Sequence, residues 1–335
     1  MAAFFWVMIT VSVTSEEAVR PDSTAFRRAV SEFVGRFVTA EGRVVDDYNG
    51  GISHSEGQGY GMLAAALSGN REAFDRIWSW TRDTLFVRED GLAAWRWDPH
   101  AEPHVTDRNN ATDGDLLIAW ALIEGGERWH GSYAAEGRRI ADAVAQRMVF
   151  AVGPKRFLRP AAVGFGAEDR ADGPVVNLSY WVFPALVRLA AADPAGPWTK
   201  LIDGGLDLLE ASRFGPARLP SDWISVAGSP SPSEREPARF GYDAVRIPLY
   251  LAWAFPREDA RLQGFSTVLA EGHPQVIDLL TGAPLEPFGG TGFSVLGEVI
   301  ARAEHRAPTP GPDLAKDSYY ATIIGVFSLY VLAYR

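Results

Sequence analysis

A chain of 335 residues that is 47% hydrophobic and 12% aromatic has ample apolar material for a large core, which excludes a disordered or collagen-like sequence. Zero cysteines exclude a disulfide scaffold, a thiolate zinc site, an iron–sulfur protein and a cysteine nucleophile. A net charge of −10 argues against a nucleic-acid backbone or an anionic membrane surface as the main partner, so a neutral ligand is the easier fit.

Residues 2–13 form an apolar run with the length of a signal-peptide h-region, too short to span a bilayer. No Lys or Arg precedes it, and Thr14-Ser15-Glu16 is a poor cleavage site. Residues 1–22 therefore read as a signal remnant, placing the protein in the periplasm or outside the cell, or else as a packed N-terminal arm. Residues 23–335 read as one domain.

Within that domain two kinds of helical segment follow one another. In the first, one face is apolar: Phe26, Val30, Phe33, Val34 and Phe37 recur at helical spacing, with Arg27, Arg28, Glu32 and Arg36 on the other side. The same one-sided stripe returns at Phe74, Ile77, Trp78 and Leu85, at Ile140, Val144 and Met148, at Leu201, Ile202, Leu208 and Leu209, and at Leu262, Phe265 and Leu269. In the second kind the run is apolar all round: 60–67, 116–123, 180–192, 244–255, 293–300 and 319–334. Such a helix is buried on every side. The last run is too short for a bilayer-spanning helix, so no stable membrane insertion is expected. The alternation predicts an all-α fold in which an inner ring of helices is wrapped by an outer one. The turn-rich stretch 219–240 reads as a long loop, because both flanks continue the same alternation, and short β pieces are expected near 156–165.

The polar residues of interest open the apolar runs. Ser55-Glu56-Gly57-Gln58-Gly59-Tyr60-Gly61 opens the first, Ala111-Thr112-Asp113-Gly114-Asp115 the second, Asn177-Leu178-Ser179-Tyr180 the third and Gly241-Tyr242-Asp243 the fourth. In a helical ring these starts share one end. Glu56, Asp113, Asp115 and Asp243 would then surround a common mouth, flanked by Trp95, Trp97, Tyr180, Trp181, Tyr242 and Arg246. Paired carboxylates beside aromatic platforms are the equipment for glycoside hydrolysis: a protonated acid, an ionised base and flat faces for sugar rings.

Plainer readings stand beside this one. Asp113 and Asp243 are also placed as N-caps, the Trp95-Arg96-Trp97 pair is as well suited to a core as to a platform, and only Glu56 makes a poor cap. Arg246, inside a buried run, requires an acidic partner, and Asp243 lies within one turn. Other chemistries fail on their motifs. Gly57-Gln58-Gly59-Tyr60-Gly61-Met62 lacks the third glycine of a dinucleotide loop, and the segment starting at Asp107 lacks the glycine of a calcium loop. Asp113-Gly114-Asp115-Leu116 lacks the fourth carboxylate of a terpene-cyclase motif, the six histidines show no HExxH spacing, and no Gly-x-Ser-x-Gly elbow exists. No metal and no cofactor are expected.

Ser55-Glu56-Gly57-Gln58-Gly59-Tyr60-Gly61-Met62, then Phe74-Asp75 and Trp78, then Ala111-Thr112-Asp113-Gly114-Asp115 and Tyr242-Asp243-Ala244-Val245-Arg246, resemble glycoside hydrolase family 8, from about residue 23 onward. The likeness runs to the periplasmic endoglucanases of bacterial cellulose-synthesis systems. It implies an (α/α)6 barrel and an inverting endo-β-1,4-glucanase, with a β-1,4-glucan as substrate and a cellulose-synthase assembly as partner. It implies further that Glu56 is the general acid, Asp243 the general base, and Asp113 the residue that binds and distorts the sugar at the cleavage point. Tyr180 and Tyr242 match tyrosines near the nucleophilic water, and Arg246 matches an arginine that pairs with the base. A xylanase or mixed-linkage glucanase of the same branch, and a non-catalytic polysaccharide-binding accessory protein, are the competing expectations.

Overall fold

The computed structural model describes residues 23–256, 259–269, 274–303 and 313–335; the N-terminal run expected to be a signal remnant or arm lies outside them. Twelve helices occur among the described residues: α1 (Ser23–Phe37), α2 (Ser55–Ser68), α3 (Arg71–Leu85), α4 (Thr112–Trp129), α5 (Tyr133–Arg147), α6 (Phe183–Ala192), α7 (Trp198–Ala211), α8 (Arg246–Ala254), α9 (Ala260–Gln263), α10 (Ser266–Leu269), α11 (Thr291–Ala303) and α12 (Tyr319–Tyr334). Their packing follows the residue pattern. The runs without a polar face become α2, α4, α6, α8, α11 and α12, which touch in that order and close with α12 against α2. The one-sided helices lie outside: α1 packs on α12 and α2, α3 on α2, α5 on α4, α7 on α6, α9 on α8 and α11, and α10 on α11. This is the inner and outer ring of an (α/α)6 barrel.

Aromatic side chains fill the interior. Tyr60 of α2 and Trp253 of α8 each meet Phe327 of α12, at ring-centroid distances of 5.4 and 5.3 Å, and Trp253 meets Trp120 of α4 at 4.9 Å. The Tyr60 and Tyr250 hydroxyls bond to each other, which satisfies two phenols that burial would otherwise penalise. The barrel therefore has a solid floor, and its N-terminal mouth is left for a ligand.

Two glycines decide how closely the mouth closes. A methyl group at Gly114 would collide with Ser55 Oγ and the Glu56 amide nitrogen, and one at Gly59 would press on Leu117. Their absence lets the first turns of α2 and α4 touch, bringing Glu56 beside Asp113.

Short antiparallel strands shape the loops above the mouth. Ser53–His54 pairs with Arg96–Trp97, and the Ser55 amide donates to the Trp95 carbonyl at 2.9 Å, so Trp95 arrives next to Glu56. The stretch 219–240 carries three short strands. Its residues 224–225 and 231–232 form a small sheet with 175–176, and 239–240 join 275–278 and 284–287. Beneath it, the buried Arg170 guanidinium binds Asp172, Ser233 and Glu236, fastening the loop to the preceding one.

Candidate active site

Glu56 occupies the first turn of α2, Asp113 the first turn of α4, and Asp243 the turn just before α8. Neither aspartate is an N-cap: the cap positions of α4 and α8 are Ala111 and Val245, without side-chain bonds. Asp243 is presented by a turn that Asp222 holds, its Oδ1 accepting from the Gly241 and Ala244 amides, both at 2.9 Å.

The three carboxylates converge on Arg246, whose side chain is only 3% exposed. Nη1 donates to Glu56 Oε1 and to Asp113 Oδ2, the latter at 2.9 Å. Nη2 donates to Asp243 Oδ1 at 2.7 Å and to Ser179 Oγ at 2.8 Å. Ser179 in turn donates to Asn177 Oδ1 at 2.7 Å, so the 3₁₀ turn Leu178–Tyr180 carries a designed seat for the guanidinium. Bridged in this way, the Glu56 and Asp243 carboxyl oxygens stand at most roughly 8 Å apart, two hydrogen bonds plus the width of a guanidinium.

Three acids compete for the charge of one buried cation, so their proton equilibria are linked. Burial pushes Asp113 up to about 6, with the Glu56 charge adding to it and Arg246 opposing. Burial likewise pushes Asp243 up to about 7; Arg246 pulls it down, while Asp222, Glu56 and Asp113 push it up. Arg246 thus favours the ionised form of Asp243, while burial and the neighbouring acids oppose it.

A groove runs across this cluster. A cavity of about 540 Å³ is lined by Ile52, His54, Glu56, Trp95, Asp113 and Tyr180 among others. A second, of about 420 Å³, shares Asn49, His54 and Glu56 with it and continues past Tyr242, Glu286, Phe293, Tyr319 and Tyr320. On the other side a third, of about 340 Å³, shares Trp95, Ala111 and Tyr180 and reaches Asn109 and Phe165. Glu56 therefore stands mid-groove, with binding space on both sides. The Trp95 indole is set by its Nε1 donating to Asp107 Oδ2 at 2.7 Å, and Arg246 lies 5.6 Å from the Tyr180 ring centre.

Of the residues expected at the mouth, Glu56, Asp113, Asp243, Arg246, Trp95, Tyr180 and Tyr242 are brought together, and three are not. Asp115 is fully buried, turned some 200° around α4 from Asp113, and accepts from the Ala93 amide at 2.8 Å and Asn110 Nδ2 at 2.9 Å. It is a strut between loops, and burial pushes it up to about 7. Trp181 has no exposed surface: it points into the outer layer, its Nε1 bonded to the Leu201 carbonyl and its ring on Phe157. Trp97 packs against Trp80 and His104 under the Arg43 guanidinium and lines none of the three cavities. The residues that sequence reasoning missed are Ser179, Asp222 and His54. Ser179 stood inside a segment already singled out, whereas Asp222 is distant in sequence from the turn it holds and carries no motif.

Residues 3–270 match the sequence profile of Glycosyl hydrolases family 8. The chain is 38% identical over 333 residues to a probable endoglucanase of Novacetimonas hansenii, covering 96% of this chain and 95% of that protein. Its fold superposes on the endoglucanase of Komagataeibacter sucrofermentans with a TM-score of 0.85 at 35% identity, covering 92% of this chain and 98% of that one. It also superposes on the endo-β-1,4-glucanase of Acetobacter xylinum with a TM-score of 0.83 at 36% identity, covering 92% and 97%.

Proposed function

The chain belongs to glycosyl hydrolase family 8, and from that premise we propose that it is an endo-β-1,4-glucanase that cleaves β-1,4-glucan with inversion at the anomeric carbon. The observation that carries the reading is one buried guanidinium binding three carboxylates at the middle of a groove open on both sides of Glu56.

In this reading a glucan chain lies along the groove with its scissile bond over Glu56. Glu56 donates its proton to the glycosidic oxygen as the bond to the anomeric carbon breaks. Asp243, in its ionised form, takes a proton from a water that attacks the opposite face of the ring. Asp113 accepts a hydrogen bond from the sugar at the cleavage point and favours its distortion. Arg246 fixes the relative positions of all three, and Trp95 and Tyr180 supply flat faces on one side of the bond as Tyr242 does on the other. A location in the periplasm or outside the cell, and service to a cellulose-synthase assembly, complete the proposal; the apolar run 2–13 and the family likeness support them.

The test is proton NMR of cellohexaose during the first minutes of digestion, beside rates on carboxymethylcellulose, xylan and lichenan. The α-anomer as first product and preference for the β-1,4-glucan are expected. First formation of the β-anomer would refute inversion, preference for xylan or lichenan would reassign the substrate, and absence of product would leave a binding protein.

A further inference from the structure

How Glu56 meets the groove is set by how α2 begins. Its N-cap is His54, whose Nδ1 accepts from the Gly57 amide at 3.0 Å. An amide N–H only donates, so Nδ1 carries the lone pair and the ring proton sits on Nε2. Nε2 faces Asp46 Oδ2 at 3.3 Å. Asp46 is buried and is held by its own turn, accepting from the Tyr48 amide at 3.1 Å and from Asn49 Nδ2 at 2.6 Å. Burial works against its charge, but the bonds from His54 and Asn49 prevail and hold it below the usual carboxylate range. The imidazole is also braced by the Tyr319 ring, 5.6 Å away and nearly perpendicular, and its Nδ1 lies 3.7 Å from Glu56 Oε2.

Serine, threonine, aspartate and asparagine are the ordinary N-caps. Any of these would reach the Gly57 amide but would be too short to be held by Asp46 at the same time. A histidine does both, because its two ring nitrogens lie on opposite sides. We propose that Asp46 and His54 are a positioning pair for the Glu56 carboxyl. Asp46 selects the tautomer, His54 in that tautomer anchors the first turn of α2, and the anchored turn aims Glu56 at the glycosidic oxygen. The inference rests on the reading of Glu56 as general acid. The pair works with a neutral ring. Burial disfavours the charged ring, while Asp46, Glu56 and Asp113 outweigh burial and raise its pKa; Arg246 sits behind the last two, and Tyr319 adds no charge. A second ring proton would point at the Gly57 N–H and release the anchor.

Two substrates separate aim from general damage. Cellopentaose needs its leaving oxygen protonated, whereas β-cellobiosyl fluoride expels fluoride with little help. For His54→Ala, kcat on cellopentaose should fall about 10- to 100-fold, with a loss on the fluoride at least about tenfold smaller, since only acid assistance is impaired. His54→Asn, able to cap Gly57, should recover part of the oligosaccharide rate. Asp46→Asn, which presents an amide N–H to Nε2 and so favours the other tautomer, should show the same selective loss as His54→Ala. Glu56→Gln is run alongside. If Glu56→Gln loses equally on both substrates, the role of Glu56 as acid is overturned; if it discriminates but His54→Ala and Asp46→Asn do not, the positioning pair alone is overturned. Should His54→Ala fail to fold by circular dichroism, Asp46→Asn decides the question by the same comparison.

Discussion

Arg246→Met is the most informative single perturbation of the site. Methionine keeps much of the length and apolar bulk of arginine but removes the guanidinium that holds Glu56, Asp113, Asp243 and Ser179. Deleting one partner of a buried ion pair costs about 3–5 kcal/mol, because the remaining charge is stranded. Here the stranded groups are acids that can neutralise themselves by taking up protons, so the cost depends on pH. In the unfolded chain aspartates titrate near 3.9. In the folded protein Asp113 lies at about 6 and Asp243 at about 7, and without the guanidinium both move higher still. Between the unfolded and folded values the native state binds more protons than the unfolded chain, so stability falls as pH rises. The slope reaches about 1.4 kcal/mol per pH unit for each carboxylate still protonated in the fold. Wild type shows this sign too, but Asp113 stops contributing above about pH 6. The variant should therefore lie about 3–5 kcal/mol below wild type near pH 8 and much closer to it at about pH 5.5. Urea unfolding followed by tryptophan fluorescence at the two pH values measures the difference. An equal loss at both would refute the idea that the carboxylates share the guanidinium's charge, and a loss below about 1 kcal/mol at the higher pH would show that the pairing contributes little.

Glu56 and Asp243 should separate by leaving group. Glu56→Gln and Asp243→Asn should each lower kcat on cello-oligosaccharides by at least about 10² to 10⁴ with folding intact, but β-cellobiosyl fluoride should partly rescue only the first. Rescue of Asp243→Asn instead would reverse the two roles. Trp95→Ala should raise KM more than it lowers kcat, since stacking binds ground state and transition state alike, whereas Trp181→Ala should cost about 3–5 kcal/mol of stability in denaturant titration. Opposite results would exchange platform and core. Gly114→Ala should push Ser55 and the Glu56 backbone off α4, lowering kcat by about tenfold or more through misplacement of Glu56, and unchanged kinetics would show that the close crossing is not what sets the acid.

The architecture was legible in the residues because it rests on local pattern. A helix that is apolar all round, such as Ala-Thr-Ile-Ile-Gly-Val-Phe within α12, has one place to go in a globular chain, and a one-sided helix such as α1 has another. Alternation of the two specifies concentric rings without knowledge of any contact. The carboxylates were legible for a related reason: Glu56, Asp113 and Asp243 stand where apolar runs open, and a ring of inner helices collects such openings at one end. Side-chain direction was not legible. Asp115 lies two residues from Asp113, and Trp181 lies one residue from Tyr180, yet in each pair one side chain lines the groove and the other is buried as a strut or core ring. Composition treats the members of each pair as equivalent, and only the rotation of the backbone tells them apart. The proton balance also belonged to the tertiary structure. Near Asp243 the sequence placed only Arg246, which favours the carboxylate, whereas the fold added burial and the charges of Asp222, Glu56 and Asp113, which push it up to about 7. Ionisation responds to everything within a few ångströms, and here most of that comes from residues far away along the chain.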